Sequence, residues 1–328
     1  MNRMSILLAA LAFLGPIAVP IAAGEGSAGP KKIPVILDSD IGDDIDDTWA
    51  LALVLRSPEL DLKLFVTDYG KREYRGKVAA RFLETAGRTD VPVGLGLDVA
   101  KGEGGQAPWV KGYDLAKYPG KVHQDGVGAL IDMVMKSPEK MTLLCVGPLP
   151  NIEAALEREP RIAERARFVG MHGSLRKGYG GKSSPDPEWN VKADPAACRA
   201  ALSAPWDITI TPLDTCGLVA LKGARYARIR DSKDPVARAL VENYRAWCGN
   251  DPGRADRESS ILFDTVAVYL AFSRENLVME RLGVRVKDDG ITAIDEGAKK
   301  MDCAMEWKDL GAFEEFLTGR LAGKEPAK

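Results

Sequence analysis

The chain has 328 residues, of which 45% are hydrophobic and 28% charged, with a formal net charge of -2. That is an ordinary globular composition, long enough for one large α/β domain or two smaller ones. Near-neutrality gives no electrostatic ground for a nucleic-acid partner, so none is expected.

The N-terminus comes first. Arg3 supplies a positive charge, and Ser5 to Leu14 form an apolar run that Gly15 and Pro16 interrupt. Ala22, Ala23 and Gly24 are the small residues of a cleavage site. Residues 1–23 therefore read as a secretory signal peptide, and the mature chain as secreted or periplasmic. The Gly-Pro break speaks against an uncleaved anchor. No later segment reaches the roughly 20 apolar residues of a span, so no membrane contact is expected after cleavage. Residues 24–328 are expected to form a single domain.

Strand-length apolar runs then alternate with helical spacing. "IPVIL" (33–37) reads as a strand and "TWALALVLRS" (48–57) as a helix. "LKLFVT" (62–67) is strand-like, and "REYRGKVAARFLETAG" (72–87) is helical, with Gly87 at its C-terminal cap. "VPVGL" (91–95) and "MTLLCV" (141–146) follow as strands, then a helix from about Asn151 to Arg158 and a strand at "ARFVG" (166–170). Asp194 and Pro195 open a helix over 194–204, and "WDITI" (206–210) is a further strand. Residues 282–322 read as a strand pair and a closing helix. This alternation predicts an open, mostly parallel, Rossmann-like α/β sheet with helices on both faces. The stretches 96–125 and 171–193 are long loops rich in Gly, Lys and Pro, a length often tied to function.

The five cysteines form no C-x-x-C pair, which argues against a zinc knuckle. Their odd number leaves at least one outside any intrachain disulfide. Cys145 lies in an apolar run and reads as a buried thiol, while a Cys216–Cys248 bridge stays open.

Six aspartates, Asp38, Asp40, Asp43, Asp44, Asp46 and Asp47, fill the turn between the first strand and the first helix. Open α/β sheets bind ligands at the carboxyl ends of their strands. "VTDYGK", "VGPLPN" and "GMHGS" follow other strands, so several loops converge on one rim. Crowded carboxylates repel one another and raise one another's pKa values. A hard cation among them keeps several ionised together, and oxygen-only ligands suit calcium or magnesium. A solvated acidic loop with helix capping is the plainer alternative. A haloacid-dehalogenase-type phosphatase also carries D-x-D after its first strand. It wants Thr or Val where Gly42 stands, and it leaves Asp46-Asp47 without a role. An EF-hand fits neither the spacing nor the glutamate at its twelfth position.

"DSDIGDDIDDTWAL" resembles the signature of the inosine–uridine-preferring nucleoside hydrolase family, in a form with a two-residue-longer turn. The resemblance continues, in order, through "ETAGRTDVPVGLG" (84–96), "HQDGVG" (123–128), "VGPLPNIEAAL" (146–156), "SPDPEWNVKADPAA" (184–197) and "LFDTVAVYLA" (262–271). It covers about Ile33 to Phe272.

The resemblance implies one Ca²⁺ ion and hydrolysis of the N-glycosidic bond of a small-molecule ribonucleoside, in a chain that forms a homo-oligomer. It places Asp40, Asp47, Asp264 and the backbone carbonyl of Pro150 on the metal. Asp46, Glu188 and Asn190 fall on the ribose hydroxyls, and Asp40 doubles as the general base. Such an array would stabilise an oxocarbenium-like ribosyl group, and the ion would lower the pKa of the attacking water.

Three positions depart from the family pattern: Lys71 and Lys182 each stand where Asn is usual, and Phe263 stands where a His helps protonate the leaving base. Phe263 cannot donate a proton, which leaves His172, Trp189, Tyr179 and Lys182 as candidates for the base site. A non-catalytic nucleoside- or ribose-binding protein and a hydrolase of another ribosyl compound are the competing readings.

Overall fold

Val35 and Leu37 pack on one side of the first strand and Ile36 on the other, and all three are fully buried. A strand hydrophobic on both faces belongs in the middle of a helix-covered sheet. The computed structural model describes residue 1 and residues 31–99, 102–249, 251 and 253–323. The signal-peptide expectation for 1–23 therefore lies, Met1 aside, outside the described residues.

The strands are β1 (Ile33–Ser39), β2 (Leu60–Thr67), β3 (Val93–Gly94), β4 (Val122–His123), β5 (Met141–Cys145), β6 (Ala166–Met171), β7 (Ile208–Thr211), β8 (Leu277–Val286), β9 (Thr292–Ile294) and β10 (Lys300–Trp307). They form one sheet in the order β4-β3-β2-β1-β5-β6-β7-β10-β8-β9. Every pairing is parallel except β10 with β8 and β8 with β9. The open, mostly parallel sheet predicted from the alternation is thus present. Its C-terminal edge differs from the expected strand pair. β8 is long enough to pair through Leu277–Gly283 with β10, and its last three residues pair with the short β9.

Helices cover both faces. Asp46–Arg56, Arg72–Thr85, Pro235–Cys248, Phe263–Leu270 and Leu310–Ala322 pack in one apolar cluster. Gly126–Lys136, Pro150–Arg158 and Pro195–Ser203 pack in the other. Local chemistry ends the second helix as expected: Gly87 takes φ +67°, and the amides of Gly87 and Arg88 donate to the carbonyls of Glu84 and Leu83. Asp194 caps the helix Pro195–Ser203 by accepting from the Ala197 amide, also as expected. All five cysteines are free, Cys145 is buried, and no Cys216–Cys248 bridge forms. Among the described residues, no helix is long and apolar enough to cross a membrane.

What matters for the site is β1. It is flanked by β2 on one side and β5 on the other, so the chain winds outward from it in opposite directions. The crevice at such a switch point, at the carboxyl ends of the strands, is where sheets of this kind hold ligands. The aspartate-rich turn leaves β1 at that point.

Candidate active site

The turn is locked by neighbours on the next helix. Gly42 takes φ +114°, a backbone state that a side chain would strain, and its carbonyl accepts from the Tyr74 hydroxyl at 2.8 Å. The buried guanidinium of Arg75 donates to the carbonyls of Ile41 at 2.9 Å and Tyr69 at 2.7 Å. The chain then enters the helix Asp46–Arg56 with Asp46 and Asp47 as its first two residues, where the dipole favours negative charge. Asp264 occupies the second position of the helix Phe263–Leu270, which packs against the first. Its amide donates to Asp46 Oδ2 at 3.3 Å, so two helix N-termini meet at one point.

There, oxygens of Asp46, Asp47 and Asp264 lie within 4.8 Å of one another, all three residues buried. Ser39 at the end of β1 aims Asp47 by donating to its Oδ1 at 2.6 Å. The triad forms part of the wall of a cavity of about 460 Å³, together with Asp40, Asp43, Asp44, Val146, Met171, Glu188 and Asn190. Gly105 and four aromatic residues, Tyr179, Trp189, Trp247 and Phe263, complete it. Burial is the first cause of raised carboxyl pKa values here, and mutual repulsion the next: Asp46, Asp47 and Asp264 are raised well above the usual range. Asp40 is pushed up to about 6 by burial, although Arg75 acts against that rise. Among the described residues, the wall contains no Lys, Arg or His to neutralise these groups. An oxygen-only set crowded in this way fits a hard divalent cation.

The residues expected on ribose fall on the same cavity. Glu188 is the N-cap of Trp189–Ala193: Oε1 accepts from the Asn190 amide at 2.7 Å, and Oε2 from the Gly173 amide at 2.9 Å. Burial lifts its pKa to about 7 against these two donors and a third, the Val191 amide at 3.3 Å from Oε2. Asn190 uses Nδ2 on the carbonyls of Val146 and Met171, both at 3.0 Å, which leaves Oδ1 as an acceptor for the cavity.

Behind the wall, Asn151 ties three strand ends together. It donates to Asp38 Oδ2 and the Thr67 carbonyl, each at 2.9 Å, and accepts from the Leu97 amide at 2.9 Å. Asp38 thus orients the loop and is absent from the cavity wall. His172 is also outside it. Its Nε2 donates to the Gly147 carbonyl at 3.0 Å, and burial lowers its pKa to about 4, so the ring is neutral.

Gly147 marks a close approach that the "VGPLPN" loop alone does not reveal. A Cβ there would sit 2.9 Å from Asp40 Oδ1 and 3.0 Å from both the Asp40 amide and Asp68 Oδ2. Gly147→Ala is therefore expected to displace Asp40, at a cost of about 1–3 kcal/mol in stability and at least about tenfold in kcat/KM. Melting curves and steady-state kinetics check it, and a variant with wild-type kinetics would mean that Asp40 tolerates displacement.

The expected ligand set and the observed triad share Asp47 and Asp264. Asp46, expected on ribose, stands inside the triad, and Asp40 stands beside it in the same wall. Pro150 opens the helix Pro150–Arg158, is buried, and does not line the cavity. Of the candidates for the base site, Tyr179 and Trp189 line it, whereas Lys182 pairs with Asp186 and is half exposed. Lys71 pairs with Glu103 at 2.7 Å near the surface, so neither lysine brings charge into the metal pocket. Two participants went unread in the sequence. Asp68, at the end of β2, is buried beside Asp38 and Asp40, with no hydrogen-bond partner for either carboxyl oxygen among the described residues. Trp247 reaches the wall from the helix Pro235–Cys248.

The sequence model of the inosine-uridine preferring nucleoside hydrolase family matches residues 35–313. The chain belongs to that family. Among its curated relatives, the inosine-uridine preferring nucleoside hydrolase of Crithidia fasciculata is 31% identical over 275 residues, covering 80% of this chain and 85% of that one. A probable uridine nucleosidase 2 of Oryza sativa subsp. japonica is 27% identical over 298 residues, covering 85% and 86%. The solved structure of a plant nucleoside hydrolase superposes with a TM-score of 0.76 at 22% identity, over 90% of this chain and 100% of that one, and shows the fold. The acidic triad of this nucleoside hydrolase-family chain thus sits in a fold shared with solved nucleoside hydrolases.

Proposed function

We propose that the chain hydrolyses the N-glycosidic bond of ribonucleosides to free base and ribose, with Ca²⁺ as its cofactor. The observation that carries this reading is the convergence of Asp264 with Asp46 and Asp47, more than two hundred residues earlier in the chain, at the switch point of the sheet. The names of the relatives, probable uridine nucleosidase and inosine-uridine preferring nucleoside hydrolase, support the choice of substrate.

In this reading Asp47 and Asp264 hold the ion, with Asp40 as a further oxygen, and the carbonyl of Pro150 lies outside the cavity wall. When bound, Ca²⁺ supplies positive charge that acidifies the attacking water and fixes the ribose diol. Asp46, Glu188 and Asn190 Oδ1 accept hydrogen bonds from the ribose hydroxyls. Asp40 takes the proton of the water as its oxygen adds to the anomeric carbon, a contribution of about 10²–10⁴ in rate. The surrounding carboxylates favour the positive charge that builds on the ribosyl ring. The mature chain acts outside the cytoplasm after removal of residues 1–23, and N-terminal sequencing of exported protein that began with Met1 would remove that part of the proposal.

Assay of calcium-loaded protein with inosine, uridine and nitrophenyl riboside tests the activity. Turnover that is lost on chelation and restored by Ca²⁺ is expected. Phe263 in the place of a proton-donating His favours one second reading, a ribose-binding protein. Ribose binding without turnover of any of the three substrates would select it.

A further inference from the structure

In the reading above, two aspartates in the long turn are assigned to neither metal nor ribose. Asp43 and Asp44 are exposed, yet both line the cavity. Their backbone is pinned: Trp247 Nε1 donates to the Asp43 carbonyl at 2.8 Å, and Gln106 Nε2 to the Asp44 carbonyl at 2.9 Å. The Ile45 amide holds the Asp44 side chain through Oδ1 at 2.7 Å. The Asp44 carboxylate is thus held in a cavity wall that also includes Asp43 and Trp247. The chain's own Arg254 rests over that indole, its guanidinium carbon 5.7 Å from the ring centroid, and does not itself line the cavity.

The rest of the aromatic wall is uncharged. Tyr179 and Phe263 meet edge to face at 6.1 Å, and Trp189 is 50% exposed. Among the described residues, seven acidic side chains and no cationic one line the cavity. One divalent ion neutralises two of those charges. A flat ring carrying positive charge is the ligand that both the ring faces and the surplus carboxylates attract.

The same wall is poor in acids for a departing base. A neutral base leaves as an anion unless a proton reaches it, and general acids supply that proton in ordinary cases. Among the described residues, no His, Lys, Arg or Cys lines this cavity, and in the reading above its inner carboxyl groups are committed to the ion, the ribose hydroxyls and the attacking water. The Tyr179 hydroxyl accepts from the Trp189 amide at 2.9 Å, and burial raises its pKa, which makes it a weak donor. The indole N–H of Trp247 is spent on Asp43.

We propose that the preferred substrates are ribosides whose base is an aromatic cation, such as an N-ribosylpyridinium, held against the aromatic wall by Asp43 and Asp44. The inference rests on the hydrolase reading above and names its substrate class. Water adds through oxygen to the anomeric carbon as the carbon–nitrogen bond breaks. The bonding pair goes to the ring nitrogen and cancels its positive charge. The base departs neutral and requires no proton. The proton of the water passes to Asp40 and then to solvent, so riboside cation plus water gives ribose, neutral base and one proton. Asp43 and Asp44 act on binding, and their effect falls on KM rather than kcat, because the ring loses its charge as the bond breaks.

The test compares kcat/KM of the calcium-loaded protein for nicotinamide riboside, uridine, inosine and nitrophenyl riboside at low and high salt. The pyridinium riboside is expected to exceed uridine and inosine by at least about tenfold, with the excess shrinking as salt rises. The double variant Asp43→Asn, Asp44→Asn is expected to lower the ratio of pyridinium to nitrophenyl riboside by about tenfold through KM. The salt series on the wild type is independent of how that variant folds. Turnover of nitrophenyl riboside with no advantage for the cation overturns this inference and leaves the hydrolase standing. No turnover of any of the four overturns both.

Discussion

Asp264→Asn is expected to lower kcat/KM by at least about 10³-fold and to abolish stabilisation by Ca²⁺. The side chain is 3% exposed and faces Asp46 and Asp47 within the distance a single ion bridges. In wild type, Ca²⁺ at about a hundredfold over its Kd should add about 2.7 kcal/mol, or about 5 °C in Tm. The sign of the pH dependence follows from the raised carboxyl pKa values. A carboxyl raised by burial and by its neighbours keeps its proton in the folded state. Its contribution to the metal-free fold is fully present below the ordinary value near 3.8 and is lost as pH rises through the raised values, about 6 for Asp40 and well above the ordinary range for the triad. Metal-free wild type should therefore weaken as pH rises from about 4 through about 6, and the Tm gain from Ca²⁺ should grow over the same interval. Asp264→Asn removes one like charge from the cluster. Without metal at pH 8 it should melt no lower than metal-free wild type, while gaining nothing from Ca²⁺. A calcium-dependent rise in the Tm of this variant would mean that the ion sits elsewhere.

How much of this was legible depends on where the physical signal lies along the chain. β1, β2, β5 and β6 are short runs buried on both faces, and such runs announce themselves as apolar blocks. The turn after β1 was legible because six aspartates between two apolar runs demand a counter-charge. Asp264 stood out for a related reason, as a single carboxylate inside "ILFDTVAVYL". What the sequence concealed is mostly a matter of distance. Asp68 lies in "VTDYGK" with nothing local to mark it, and it gains meaning only when parallel pairing of β1 with β2 brings it beside Asp38. Lys71 and Lys182 stand where the family pattern has Asn, and only the folded chain shows that each has an acidic partner at the surface, Glu103 and Asp186. The helix Pro235–Cys248 did carry a readable signal. Asp234 caps it and Pro235 opens it, the same pairing that marked Asp194 and Pro195. Reading it would have brought Trp247 into view as part of a helix packed on the first cluster, though not its reach into the cavity.

Asp40→Asn should separate the base from the ligands. Asp40 leaves the end of β1 in the one place where its carboxylate lines the cavity and touches the loop at Gly147, with Arg75 close enough to favour its ionised form. A base that works near neutrality needs a pKa not far below the working pH. Burial gives Asp40 such a value, about 6, where an exposed aspartate would be far weaker. The amide keeps the shape and an oxygen that can still face the ion, but it cannot take a proton. The variant is expected to lose about 10²–10⁴ in kcat while retaining most of the Tm gain from Ca²⁺, the opposite division from a pure ligand. The pH profile gives a second readout. Wild-type kcat/KM should fall as pH drops through the pKa of the base, and that limb should lie at or below about pH 6, because a bound cation favours the carboxylate. In Asp40→Asn the limb should vanish from the residual activity. Persistence of the same limb would assign the proton transfer to another group in the wall, with Asp46 and Glu188 the first to replace in turn.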